Sequence, residues 1–145
     1  MSDKVEAAVG CFREGFSCSQ AILSIYGVEF GLEREMALKA AAPFGAGMGR
    51  LGEVCGAVTG ALIVLGLKYG HTEAKDKEAK EKTYTRARDF GERFRALYGS
   101  LLCRELLGCD LGTAEGMATA REKGYFTELC PRFVRAAAEI LEDVR

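Results

Sequence analysis

No Cys-x-x-Cys occurs in this 145-residue sequence, although it holds six cysteines. A thioredoxin-type redox pair and a zinc ribbon both need that spacing, so the sequence offers neither. Cys-x-x-Cys-His is missing as well, so there is no c-type haem attachment. Histidine is scarce: His71 stands alone just past Gly70 and reads as an exposed loop residue rather than a ligand. Net charge is nearly absent, with 20 basic and 21 acidic side chains giving −1 at pH 7. Such a balance supplies no attraction to nucleic acid or to an anionic membrane, and neither is expected as a partner. The longest uncharged apolar run, Val54 to Leu67, has 14 residues, whereas a bilayer span needs about 20. The opening MSDKVEAAVGCFREGFSC carries charges throughout and has no continuous apolar segment of the kind a secretory signal needs. A cytoplasmic location is the expectation.

What is present is ordinary for a globular chain: 48% hydrophobic and 28% charged residues. Residues 1–145 are expected to form one domain, long enough to bury a core without disulfides. Apolar residues recur at helical intervals with little strand signal. The first helix is expected over Lys4–Arg13. Ser17 starts the second, because Gln20 lies at the capping-box spacing, and Ala21, Ile22, Ile25 and Tyr26 follow on its inner face. Glu33–Ala42 is the third, stopped by Pro43. An apolar helix from about Glu53 to Tyr69 follows, central because it has no polar face wide enough for solvent. The next runs from about Glu73 to Tyr98 with Tyr84, Ala87, Phe94 and Leu97 on one stripe. Ser100 opens a short helix that stops at Gly108, and Thr113 caps another that closes at Gly124. Pro131 begins the last, with Phe133, Val134, Ala137, Ile140 and Leu141 inward. The fold class is all-α: a single-domain bundle of about six to eight helices around a central apolar helix.

The stretch GAGMGRLG matches Gly-x-Gly-x-x-Gly at Gly47, Gly49 and Gly52. A dinucleotide site also needs a strand before those glycines. Here an Ala-rich helical segment precedes them, so neither NAD nor FAD is expected. The glycines instead read as a flexible loop that carries Cys55 to a site, with free backbone N–H groups able to face sulfur. Gly56 and Gly60, four residues apart on one helix face, would let a neighbouring helix or a bulky centre approach the backbone.

Four cysteines fall where helices begin: Cys18 after its Ser17 cap, Cys55 after the glycine loop, Cys103 past Ser100, and Cys130 as the N-cap before Pro131. Cys11 lies mid-helix and Cys109 just beyond a helix end. Ionising a thiol of pKa ~8.5 at pH 7 costs about 2 kcal/mol. A helix N-terminus contributes about 0.3–1 kcal/mol toward an anion, and up to ~2 when partly buried. Burial opposes ionisation, so a buried thiolate set also calls for a cation. Four such thiols suit a metal or iron–sulfur centre, or an oxidisable thiol site. Against this stands the common use of cysteine as a small buried hydrophobe.

These residues carry a resemblance. Cys18 in SCSQA, Cys55 with Cys55-Gly56-Ala57-Val58-Thr59-Gly60, Cys103 in CRELLG and Cys130 in LCPRFV resemble the redox-active family described by the pattern C-GCAxxG-C-C, over Gly15 to Val144. The family pattern writes Gly-Cys-Ala where this sequence reads Cys-Gly-Ala. The resemblance implies redox activity at these cysteines. A similar domain in split-Soret cytochromes combines an iron–sulfur centre with haem. Only the iron–sulfur part can carry over to a chain without the haem motif. Cys11 and Cys109 match no position of the family.

Three functions compete. In the first, Cys18, Cys55, Cys103 and Cys130 converge on an iron–sulfur centre, most simply [2Fe–2S], for electron transfer. Their separations of 37, 48 and 27 residues match no compact ferredoxin run, so the fold must assemble the site. In the second, the same four serve a thiol–disulfide oxidoreductase or a redox sensor. In the third they hold zinc in a structural or binding module. The partner would be a redox protein or a small-molecule reductant, and a homodimer is compatible with each.

Overall fold

Local chemistry explains most helix ends in the computed structural model, which describes residues 2–145. Helix α1 (Asp3–Arg13) starts where Ser2 accepts from the Lys4 amide. Helix α2 (Cys18–Tyr26) has the full capping box: Ser17 Oγ accepts from the Gln20 amide, and Gln20 Oε1 accepts from the Ser17 amide. Glu33 caps α3 (Arg34–Ala41), after which Pro43 lies in a short 3-10 turn. Cys55 is the N-cap of α5 (Gly56–Tyr69), and Asp76 caps α6 (Lys77–Tyr98). Helix α7 (Cys103–Leu107) ends at left-handed Gly108. Thr113 caps α8 (Ala114–Glu122), and the single turn α9 (Tyr125–Glu128) runs almost directly into α10 (Cys130–Val144). Among the described residues the only β pairing is an isolated bridge between Val54 and Leu102. The fold is all-α.

The segment between α3 and α5 departs from expectation. The turn α4 (Gly45–Gly49) is not a flexible loop but a left-handed turn. Ala46, Gly47, Met48, Gly49 and Arg50 have φ of 56°, 68°, 67°, 66° and 72°. Left-handed backbone costs a residue with a Cβ about 1–2 kcal/mol, so Ala46, Met48 and Arg50 hold it only because their surroundings impose it. The Glu53 amide returns to the Gly47 carbonyl at 3.0 Å and locks the turn.

Several boundaries also differ. The helix expected from about Glu73, α6, begins at Lys77, because the Asp76 carboxylate caps the Ala79 amide. Ser100 does not cap the Cys103 helix. Its hydroxyl accepts from the Leu102 amide, and Leu102 takes the cap position. Cys130 is the first residue of α10 and not its cap, since Leu129 already continues right-handed from α9. On α6 the buried positions are Phe90 and Phe94, whereas Tyr84 and Leu97 are exposed.

The core lies between α2, α5 and α10, with α1 and α6 on its flanks. Phe133, Val134, Ala137, Ile140 and Leu141 are all buried, as their spacing on α10 predicts. Tyr98 and Phe133 meet edge to face beside Phe94. Helix α5 buries its first half, but Leu62 and Ile63 are half-buried and Leu67 is exposed. Helices α2 and α5 pack closely. A Cβ on Gly56 would lie 3.0 Å from the Ser19 amide nitrogen, and one on Gly60 would lie 2.9 Å from the Ser19 carbonyl oxygen. Ser19 is fully buried, and its hydroxyl donates to the Ala41 carbonyl at 2.8 Å. Every buried side-chain nitrogen and oxygen among the described residues has a partner.

Candidate functional site

Two short backbone pairings bring the first pair of sites together. The Cys55 amide donates to Leu101 O at 2.8 Å, and the Cys103 amide donates to Glu53 O at 2.7 Å, around the Val54–Leu102 bridge. The starts of α5 and α7 are thereby fastened side by side. Gly47 presses on the same spot, since a Cβ there would lie 2.7 Å from Cys103 Cβ and 2.9 Å from both Glu53 N and Glu53 O. Arg104 fastens the outer edge through Gly52 O and the Glu53 carboxylate, each at 3.1 Å. The close α2–α5 packing then sets Cys18 against the start of α5: a Cβ on Gly56 would lie 3.3 Å from Cys18 Cβ.

Cys18, Cys55, Cys103 and Cys130 all line one cavity of about 700 Å³. Cys55, Cys103 and Cys130 are buried and Cys18 is half-buried. Cys11 is elsewhere, buried in α1 with its sulfur 3.6 Å from Ser24 Oγ. Cys109 does not line the cavity, but it is close enough for its charge to be felt at Cys103 and for it to feel the charge of Cys130. All six thiols are free. Of the glycines singled out in the sequence, Gly47 and Gly56 line the cavity and Gly60 packs on α2. Gly49 and Gly52 are needed for their positive φ, Gly52 also having Arg104 Cβ 3.3 Å from where its own Cβ would be. His71 is exposed.

The electrostatics divide the thiols. Cys18 is pushed well up by interaction with the Cys130 and Cys55 thiols, and further by burial. Cys55 is held below the usual thiol range, mainly because Cys18 faces it with a proton. The Ala57 and Val58 amides add to this against the opposing effect of burial. Cys103 is pushed up to about 12, chiefly by burial and then by the charges of its neighbours. A helix N-terminus therefore does not by itself ionise these thiols: burial wins at Cys103, and one thiolate at a time is favoured around Cys18.

This has a measurable consequence for the reduced, metal-free protein. The folded state favours the neutral Cys103 thiol, so its contribution to stability is complete below the unfolded thiol pKa of about 8.5. It is lost as pH rises toward about 12. Urea denaturation midpoints should fall between about pH 8 and 10, and fall less steeply in Cys103→Val. Equal slopes in the two proteins would place the alkaline sensitivity elsewhere.

Four sulfur donors on one cavity suit a thiophilic centre in their chemistry, and Gly47 and Gly56 keep side chains from filling that wall. The thiols share the cavity without standing at ligating distances: no three His, Cys, Asp or Glu side chains among the described residues form a ready-made metal group. The rest of the cavity was not legible in the sequence. Arg13, Arg50 and Arg121 line it, together with Phe12, Phe16 and Phe126. They come from α1, the α1–α2 loop, the left-handed turn, α8 and α9, and no spacing rule links them.

No helix among the described residues is long and apolar enough to cross a membrane. No curated protein and no solved structure matches the chain. A family model described as "Putative redox-active protein (C_GCAxxG_C_C)" matches residues 16–144, a span that holds Cys18, Cys55, Cys103 and Cys130 and leaves out Cys11. The chain belongs to that family.

Proposed function

We propose that the protein transfers electrons, with Cys18, Cys55, Cys103 and Cys130 holding an iron–sulfur centre, most simply [2Fe–2S]. The observation that carries this reading is the shared cavity: residues 37, 48 and 27 positions apart line it together. Cys₄ is the ligation such clusters take, and when bound the cluster supplies a one-electron couple that no side chain here offers. The chain's own residues prepare the place. The Ala57 and Val58 amides favour a charged Cys55 sulfur, and Gly47 and Gly56 leave the wall open to a bulky group. Burial opposes the thiolate forms of Cys18 and Cys103, so ionising all four calls for positive charge beyond what helix termini supply.

A second reading has its own support in the close packing of Cys18 on the start of α5, where the Cys55 thiol is held low. There the Cys55 thiolate attacks one sulfur of a substrate disulfide and the other leaves as a thiolate. Cys18 then displaces the second substrate sulfur. The substrate disulfide is reduced by two electrons, and a Cys18–Cys55 disulfide forms.

Iron, zinc and acid-labile sulfide analysis of anaerobically purified protein separates the readings. Brown protein containing iron and sulfide supports electron transfer. Ser substitution at each of Cys18, Cys55, Cys103 and Cys130 should then deplete the iron, while Cys11→Ser and Cys109→Ser should leave it nearly unchanged. Colourless protein whose free-thiol count falls reversibly on oxidation points to the thiol–disulfide reading. Stoichiometric zinc would defeat both.

A further inference from the structure

The cavity is larger and differently charged than four thiols require. About 700 Å³ falls within the roughly 300–1,000 Å³ of small-molecule sites. Every charged residue that lines it is an arginine: Arg13 in the last turn of α1, Arg50 at the end of the left-handed turn and Arg121 in the last turn of α8. No carboxylate lines it, although the chain as a whole is balanced at −1. The three arginines are exposed residues while the cysteines are buried or half-buried, so the cations stand where the cavity meets solvent.

These arginines are also unspent. The ion pairs of the described residues use Lys4, Lys39, Arg93, Arg104, Arg135 and Arg145, and none uses Arg13, Arg50 or Arg121. Glu6, which feels the charge of Arg13, is itself paired with Arg135. The other polar side chains on the cavity are committed. Ser17 and Gln20 bind each other's backbone, Gln20 Nε2 donates to Leu38 O, and Thr127 Oγ1 donates to Gly124 O. The rest of the wall is apolar, with Phe12, Phe16, Leu111, Met117 and Phe126 among its residues. Arg34 lies 5.6 Å from the centre of the Phe16 ring. Flat apolar walls with guanidinium groups at the opening complement a molecule with an apolar body and an anionic group.

We propose that this cavity binds a small organic anion with a flat apolar body, held at its charged end by Arg13, Arg50 and Arg121 and lying beside the four cysteines. Binding follows from the cavity alone; that the bound anion lies beside a redox centre rests on the function proposed above.

The test uses purified full-length protein and three probes in calorimetry at low salt: 2-naphthoate, the neutral 2-naphthylmethanol and inorganic phosphate. Naphthoate should bind; the alcohol should bind at least about tenfold more weakly for want of charge-assisted hydrogen bonds, and phosphate at least about tenfold more weakly for want of an apolar body to bury. Arg121→Gln and Arg13→Gln should each weaken naphthoate by about tenfold, and the remote exposed Arg88→Gln on α6 should not. Equal affinity for the alcohol would overturn the role of the arginines. Equal affinity for phosphate would overturn that of the apolar wall, and no binding of naphthoate would overturn the site. Iron and sulfide content of the same samples reports separately on the proposed centre. Brown protein that binds no naphthoate defeats this inference alone. Metal-free protein that binds naphthoate defeats only the iron–sulfur reading.

Discussion

Gly47→Ala should destabilise the protein by about 3 kcal/mol, the sum of left-handed strain and overpacking against backbone. Gly47 has φ of 68°, and its new methyl would lie 2.7 Å from Cys103 Cβ and 2.9 Å from Glu53 N and O. Neither neighbour can yield cheaply. Glu53 N holds the turn through Gly47 O, and Glu53 O accepts the Cys103 amide. Relief of the clash therefore moves Cys103 relative to Cys55, and a folded variant should show altered thiol accessibility at Cys103. Gly49→Ala is the matched comparison, with nearly the same φ of 66° but only Pro43 O, at 3.8 Å, near the added carbon. It should cost about 1–2 kcal/mol from strain alone. Urea denaturation of both reports the difference. If Gly47→Ala cost no more than Gly49→Ala, the close packing on Cys103 would be wrong.

Two glycines on α5 should respond in opposite directions. Gly60→Val brings a branched side chain to a Cα where even a Cβ lies 2.9 Å from Ser19 O and 3.1 Å from Ser19 Cα. A loss of about 3 kcal/mol is expected, because backbone must move to admit it. Gly66 has nothing within 4 Å of an added Cβ, so Gly66→Ala should stabilise by about 1 kcal/mol through helix propensity. The first change also reaches the site. Parting α2 from α5 draws Cys18 away from Cys55, removing the largest influence that holds the Cys55 thiol low. Alkylation of Cys55 should then need higher pH in metal-free Gly60→Val than in the parent, whereas Gly66→Ala should leave the profile in place. An unchanged profile in a destabilised Gly60→Val would separate α2–α5 packing from Cys55 chemistry.

Much of the helical architecture was legible because its signals are local. Ser17 with Gln20, Thr113 before α8 and the glycines that follow α7 and α8 act over three or four residues. The inward face of α10 repeats at helical spacing and is buried accordingly. On α6 the same reasoning failed in part. Periodicity fixes which residues share a face but not how far a neighbour extends along it, and α6 is covered at Phe90 and Phe94 but not at Tyr84 or Leu97. Cys130 shows the same limit at a boundary, because the extra turn α9 leads into α10 and takes the cap position from it.

The sequence by itself determined an all-α chain, the helix starts at which Cys18, Cys55, Cys103 and Cys130 stand, and the family pattern they form, since each depends on residue type and short spacing. Only the tertiary structure decided that cysteines up to 112 positions apart line one cavity, that burial overrides the helix N-terminus at Cys103, and that three arginines share the opening. It also decided that the glycine-rich stretch turns left-handed, with Gly47 packed on Cys103. The physical reason is range. Capping and periodicity are set between near neighbours, whereas desolvation and convergence depend on which distant surfaces meet, here through the α2–α5 contact at Gly56 and Gly60 and the Val54–Leu102 bridge.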